Sequence, residues 1–102
     1  MRISVKALPA ALALFAAMTG LAFSIEANYS CSGGVSLKAV FSEPGVSPAS
    51  VMLVFADAGE IALPQALSAD GGRYAAGDVE FWVKGNSATL TRNGKVETCQ
   101  AE

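Results

Sequence analysis

From Tyr29 onward, apolar residues fall on every second position, and no segment repeats them convincingly at helical spacing. Val35, Leu37, Ala39 and Phe41 share one parity against Ser36 and Lys38. Val51, Leu53 and Phe55 repeat the pattern, then Ile61 with Leu63, then Val79, Phe81 and Val83 against Glu80, Trp82 and Lys84. Leu90 within SATLTR and the closing KVETC complete the series. A period of two puts successive side chains on opposite faces of a strand. Turn residues separate these runs: SGG at 32–34, EPGVSP at 43–48, DAG at 57–59, DGG at 70–72, GD at 77–78, GN at 85–86 and NG at 93–94. Asn93-Gly94, between TLTR and KVET, supplies the positive φ angles of a two-residue hairpin and is the strongest turn signal in the chain. Seven or eight short strands in this order make an antiparallel, all-β meander. A chain this short has to hide its sheet edges, which closure into a small barrel achieves.

The amino-terminal residues belong to a different pattern. Arg2 and Lys6 precede an apolar run from Ala7 to Phe23 that is rich in Ala, Leu and Phe and interrupted by Pro9 and Gly20. That reads as a secretory signal peptide over residues 1–22, with small residues permitting cleavage anywhere from 22 to 27. The competing reading, a membrane anchor, meets a run at the short end of the roughly 17 to 25 residues that cross a bilayer. A lipid anchor would need a cysteine directly after the apolar run, whereas Cys31 follows the polar EANYS. The expectation is a soluble, exported, periplasmic protein with one domain over 28–102 and no internal repeat, linker or stable membrane anchor.

Losing the first 22 of 102 residues leaves a chain that buries only about 60 percent of its unfolded surface, so it needs a covalent staple. Cys31 and Cys99 are the two cysteines, they lie near the ends of the exported chain, and export implies an oxidising compartment. A bridge between them would close nearly the whole domain and bring the first and last strands of a barrel side by side. Export also changes the charge: loss of Arg2 and Lys6 leaves five basic residues of 7 against 9 acidic, a net of about −4. A basic partner is favoured over an acidic one, and nucleic acid is disfavoured.

The chain has no histidine. That removes Ser-His and Cys-His nucleophile pairs and most zinc sites. Carboxylate pairs such as Asp70 with Asp78, or Asp78 with Glu80, have the composition for glycoside hydrolysis, but Asp beside Gly is ordinary turn chemistry. No phosphate loop, dinucleotide fingerprint or calcium loop is present, so no cofactor, metal or catalytic residue is assigned. A ligand-holding barrel is the next possibility. Phe41, Phe55, Phe81, Leu53, Leu63 and Leu90 suffice to fill so small an interior, which favours a packed core over a pocket. Surface recognition remains. With Val79, Phe81 and Val83 inward, Trp82 and Lys84 lie on the outward parity beside glycine-rich loops. Such an arrangement suits either an interface hot spot or a tryptophan covering the barrel end with a solubilising lysine at its edge.

An ordered set of residues resembles a known family. Cys31, GGVSLKAVF, ALS, then Gly71, Arg73-Tyr74, Gly77, Phe81-Trp82, Lys84-Gly85, ATL and Cys99 together are similar to the inhibitors of c-type lysozyme of bacterial envelopes, in their membrane-bound and periplasmic forms. The resemblance spans Cys31 to Cys99 and implies an eight-stranded antiparallel barrel with one disulfide. In that family a loop reading Ser-Gly-x-x-Tyr and a strand reading Tyr-x-x-x-Thr/Ser-Lys-Gly send a serine and a lysine into the lysozyme cleft. Lys84 matches the lysine and Tyr74 the loop tyrosine. Asp70 stands at the serine position, while Ser68 matches a different family serine. Val79 and Val83 replace the strand tyrosine and the Thr/Ser. The implied lysozyme-binding set is Lys84, Asp70, Tyr74, Arg73, Ser68 and Gly71, with c-type lysozyme as protein partner. The acidic net charge suits a basic lysozyme. The alternative is an envelope barrel that binds another protein or a small ligand, with lysozyme inhibition weakened or lost.

Overall fold

The computed structural model describes residues 25–102. The signal-peptide expectation for 1–22 lies outside the described residues. Eight strands follow one another: β1 (Ile25–Cys31), β2 (Ser36–Phe41), β3 (Ser50–Phe55), β4 (Gly59–Pro64), β5 (Arg73–Ala76), β6 (Val79–Lys84), β7 (Ser87–Arg92) and β8 (Lys95–Ala101). All pairings are antiparallel, in the order β4-β3-β2-β1-β8-β7-β6-β5.

The first and last strands are indeed neighbours, in the register Tyr29↔Ala101, Ser30↔Gln100 and Cys31↔Cys99. The disulfide joins the last of these pairs, residues 68 apart in sequence. Closure is nearly complete, and the seam lies in mid-chain between β4 and β5. There a single bridge, Gln65↔Tyr74, and one further backbone bond, from Ala66 N–H to the Arg73 carbonyl at 2.7 Å, hold the two edges together. Short β5, preceded by the long loop 65–72, offers too few backbone groups for a full ladder.

The inward parity fills the barrel as the alternation requires. Leu53, Leu63 and Phe81 are fully buried, Leu90 and Val51 nearly so, and Phe41 packs against them from the rim. Each such large side chain contributes roughly 1.5–3 kcal/mol on burial. Tyr29 meets Phe81 edge to face, with ring centroids 5.3 Å apart. The surface depressions are open grooves; one lies on the wall between Asn28, Ser36 and Ala56, and another under the 65–71 segment.

Strand β8 departs from an apolar-in pattern. Val96 is 63% exposed while Glu97 is 5% exposed. The parity of β8 is set by Cys99, which must face Cys31, so Glu97 turns inward with it. Its Oε2 lies 4.0 Å from Arg92 Nη2 and 3.9 Å from Lys95 Nζ, while Oε1 has no hydrogen-bond partner. Arg92 in turn covers the ring of Phe55 at 4.5 Å. Charged side chains thus close this end of the barrel. The Asn93-Gly94 hairpin above it has φ of 52° and 80°, the two positive angles expected from the sequence, and pairs Arg92 with Lys95.

Because the strands alternate in direction, the connections segregate. The tight turns after β1, β3, β5 and β7 lie at the Glu97 end. Loops 42–49 and 65–72 and the Gly85-Asn86 turn lie at the opposite, loop end.

A candidate protein-binding site at the loop end

Strand β6 supplies the central residues. Its inward residues Val79, Phe81 and Val83 pack on the core, which leaves Glu80, Trp82 and Lys84 facing outward. Lys84 is the last residue before the Gly85-Asn86 turn, is exposed, and forms no salt bridge among the described residues. Its ammonium rests 4.5 Å from the centroid of the Trp82 ring, an attraction of about 0.5–1 kcal/mol at an exposed position. The long side chain is thereby held over the barrel end instead of sampling all its rotamers.

Trp82 is fixed from its other edge. Its indole N–H donates to Asp70 Oδ1 and Oδ2 at 3.2 and 3.3 Å. Asp70 Oδ1 also accepts from Gly72 N–H and from the Ser68 hydroxyl, both at 3.2 Å, and Ser68 Oγ accepts from Gly71 N–H at 3.0 Å. The Gln65 side-chain amide donates to the Gly71 carbonyl. Loop 65–72 is therefore cross-braced by its own side chains and latched to β6 through Asp70.

The Gly72 amide, then the Trp82 indole, with Ser68 and Lys84 adding to them, hold the Asp70 carboxyl below the usual aspartate range. A depressed folded-state value means that the ionised carboxylate stabilises the loop at pH above the unfolded value. That contribution is lost as pH falls through the folded value. Trp82 is the sole tryptophan, so its emission reports the latch. An acid titration should show an emission change centred below the ordinary aspartate range, with far-UV circular dichroism unaltered, and Asp70→Ala should abolish it.

Close packing also requires Gly72. A Cβ there would stand 2.4 Å from the Val83 carbonyl oxygen, a backbone atom that cannot swing away. The Val83 N–H donates to the Gly72 carbonyl at 2.8 Å across this contact. Gly72→Ala should therefore lift the loop off β6 and destabilise the protein by about 1–3 kcal/mol, the usual range for overpacking, read as a lowered melting temperature.

The sequence-derived residues divide into two groups. Lys84, Asp70, Ser68 and Gly71 come together around Trp82. Arg73 flanks them, with Nε 2.6 Å from Glu80 Oε2, Nη1 3.3 Å from the Leu67 carbonyl, and its guanidinium 5.8 Å from the Trp82 centroid. Tyr74 is on the opposite parity, pairs with Phe81 in register, and packs 5.8 Å from Phe41. Burial raises its phenol above the ordinary value, and it closes the seam from inside. Val79 and Val83, the two departures from the family strand, also face inward and pack against the core. Gln65, Leu67 and Gly72 join the site without having been singled out in sequence, and Glu80, weighed there only as a carboxylate partner of Asp78, joins it as the ion-pair partner of Arg73. For Gly72 a signal existed in the doubled glycine of DGG.

As for carboxylate chemistry, Asp70 lies in the loop after β4 and Asp78 in the turn at the other end of the barrel, while Glu80 is engaged by Arg73. A filled barrel with an exposed ammonium on an aromatic platform, beside a braced loop, defines a small one-disulfide β-barrel built for surface recognition. The family model for MliC, the membrane-bound lysozyme inhibitor of c-type lysozyme, matches residues 29–98. The chain belongs to that family. Among solved structures it resembles Pseudomonas aeruginosa MliC in complex with hen egg white lysozyme, with 25% identity and a TM-score of 0.67 over 78% of this chain and 83% of that one. No curated protein matches it in sequence.

Proposed function

We propose that this chain inhibits c-type lysozyme by placing Lys84 in the glycan-cleaving cleft, and is a binding protein with no catalysis of its own. The observation that carries the reading is Lys84 itself: exposed, in no ion pair among the described residues, and held on Trp82, where the sequence resemblance puts the family lysine. A glycosidase of this type works with two carboxyl groups. An ammonium among them makes charge-assisted bonds in a site screened from water and occupies the substrate's place. Ser68, Asp70, Gly71 and Arg73 shape the loop that accompanies the lysine, and Tyr74 supports it from the barrel interior. Asp70 already engages its oxygens with the loop and with Trp82 of β6, so its part is to set the platform, while its charge opposes the target's carboxylates.

The protein acts in the periplasm after signal cleavage. Strand β1 bears on where the cut falls. Ile25, Glu26 and Ala27 pair with Phe41, Val40 and Ala39, so cleavage after residue 22 keeps these pairs and cleavage after 27 discards them. The test is titration of the exported protein into a c-type lysozyme assay, with a g-type lysozyme as control. Stoichiometric loss of c-type activity supports the reading; full activity at micromolar protein rejects it.

A further inference from the structure

Leu67 is 95% exposed, more than any other large apolar side chain among the described residues. It sits on the cross-braced loop, and its backbone is tied on both sides. The preceding Ala66 N–H donates to the Arg73 carbonyl at 2.7 Å, its own carbonyl accepts from Arg73 Nη1 at 3.3 Å, and the following Ser68 caps the Gly71 N–H at 3.0 Å. The leucine is therefore presented by ordered backbone, not left out by a frayed one. An apolar side chain that could have been polar at no structural cost, held rigidly on the loop that braces the Lys84 platform, has the character of an interface anchor.

The two side chains also belong to one construction. Leu67 adjoins Ser68, whose hydroxyl bonds Asp70, which holds Trp82, on which Lys84 rests. Positions fixed in one bonded chain approach a partner as a unit, so a surface that accepts Lys84 also meets the loop that carries Leu67. The acid group of c-type lysozyme keeps its proton because it lies in an apolar pocket. Such a cleft combines carboxyl groups with an apolar wall, the complement of an ammonium and a leucine carried at one braced loop end.

Resting on the lysozyme reading above, we infer that Leu67 is a second anchor of the inhibitor: an apolar contact that seats the loop against the hydrophobic wall of the cleft while Lys84 engages its carboxyl groups. The apolar contact sets how long the complex lasts, since losses of packed interface contacts act mainly on dissociation.

The experiment compares the exported wild type with Leu67→Ala, Leu67→Met and Leu67→Asp for inhibition and dissociation rate on a c-type lysozyme, with melting temperature and sedimentation measured on each. Truncation of an anchor corresponds to about a 30-fold weaker inhibition constant. Leu67→Ala should show that loss through faster dissociation at an unchanged melting temperature, Leu67→Met should stay near wild type, and Leu67→Asp should lose more than Leu67→Ala. Wild type that fails to inhibit would overturn the lysozyme reading and this inference together. Wild type that inhibits with Leu67→Ala equally potent would overturn this inference alone. A self-associating wild type that Leu67→Ala renders monomeric, inhibition intact, would assign the leucine to a second copy of the chain and overturn it as well.

Discussion

Lys84→Ala is expected to weaken inhibition of c-type lysozyme about 100-fold or more, with the melting temperature unchanged. Truncating one partner of a buried, hydrogen-bonded charge pair costs about 2–5 kcal/mol, and each 1.4 kcal/mol is about tenfold in affinity. The lysine makes no ion pair within its own fold among the described residues, and its contact with Trp82 is the weak kind found at exposed positions. Little of the substitution's effect can therefore fall on folding. Removing Lys84 also leaves Asp70 as the charge at Trp82 without an ion-pair partner among the described residues, Arg73 being paired with Glu80, so attraction toward the target's carboxylates gives way to repulsion. An inhibition constant for Lys84→Ala within a few-fold of wild type would place the anchor elsewhere.

The disulfide is the second large effect. Cys31 and Cys99 are 68 residues apart, and cross-linking a loop of that length restricts the unfolded chain by about 4 kcal/mol in the chain-entropy description. Small domains have total stabilities of about 5–15 kcal/mol, so a large share of the margin depends on one bond. The bridge also lies on a short ladder, three pairs between β1 and β8 against six between β1 and β2. Cys31→Ser with Cys99→Ser, or reduction of the wild type, should lower the melting temperature by on the order of 20 °C. Circular dichroism with and without reductant measures it. A shift of only a few degrees would mean that the ladders alone close the barrel.

Much of the fold was legible because strand periodicity is local. Alternation from Leu37 to Phe41 and from Val79 to Lys84 identifies the inward residues before any partner strand is known, and Asn93-Gly94 declares its own turn. Two cysteines in an exported chain have one intramolecular pairing. The candidate site was legible in part for a similar reason. Once Val79, Phe81 and Val83 turn inward, Trp82 and Lys84 must turn outward, and the family motif adds the loop.

What remained hidden depended on contacts between residues far apart in sequence. Nothing local in KVETC says that Glu97 is buried and Val96 exposed, since that parity follows from Cys99 meeting Cys31 across β1 and β8. The position of the seam follows from β4 and β5 sharing one bridge. Tyr74, on the loop motif, could have faced a partner; the register with Phe81 turns it toward Phe41. Asp70, at the position of the family's cleft-entering serine, was expected among the groups offered to the target, yet tertiary structure occupies it with Gly72, Trp82 and Ser68. By itself, then, the sequence determined the all-β class, the disulfide, the inward set and the outward lysine, because these rest on period, count and turn chemistry. Only the tertiary structure decided which charges are already satisfied within the chain and which side chains remain available to another molecule. Burial and hydrogen bonding are set by neighbours that the fold brings together.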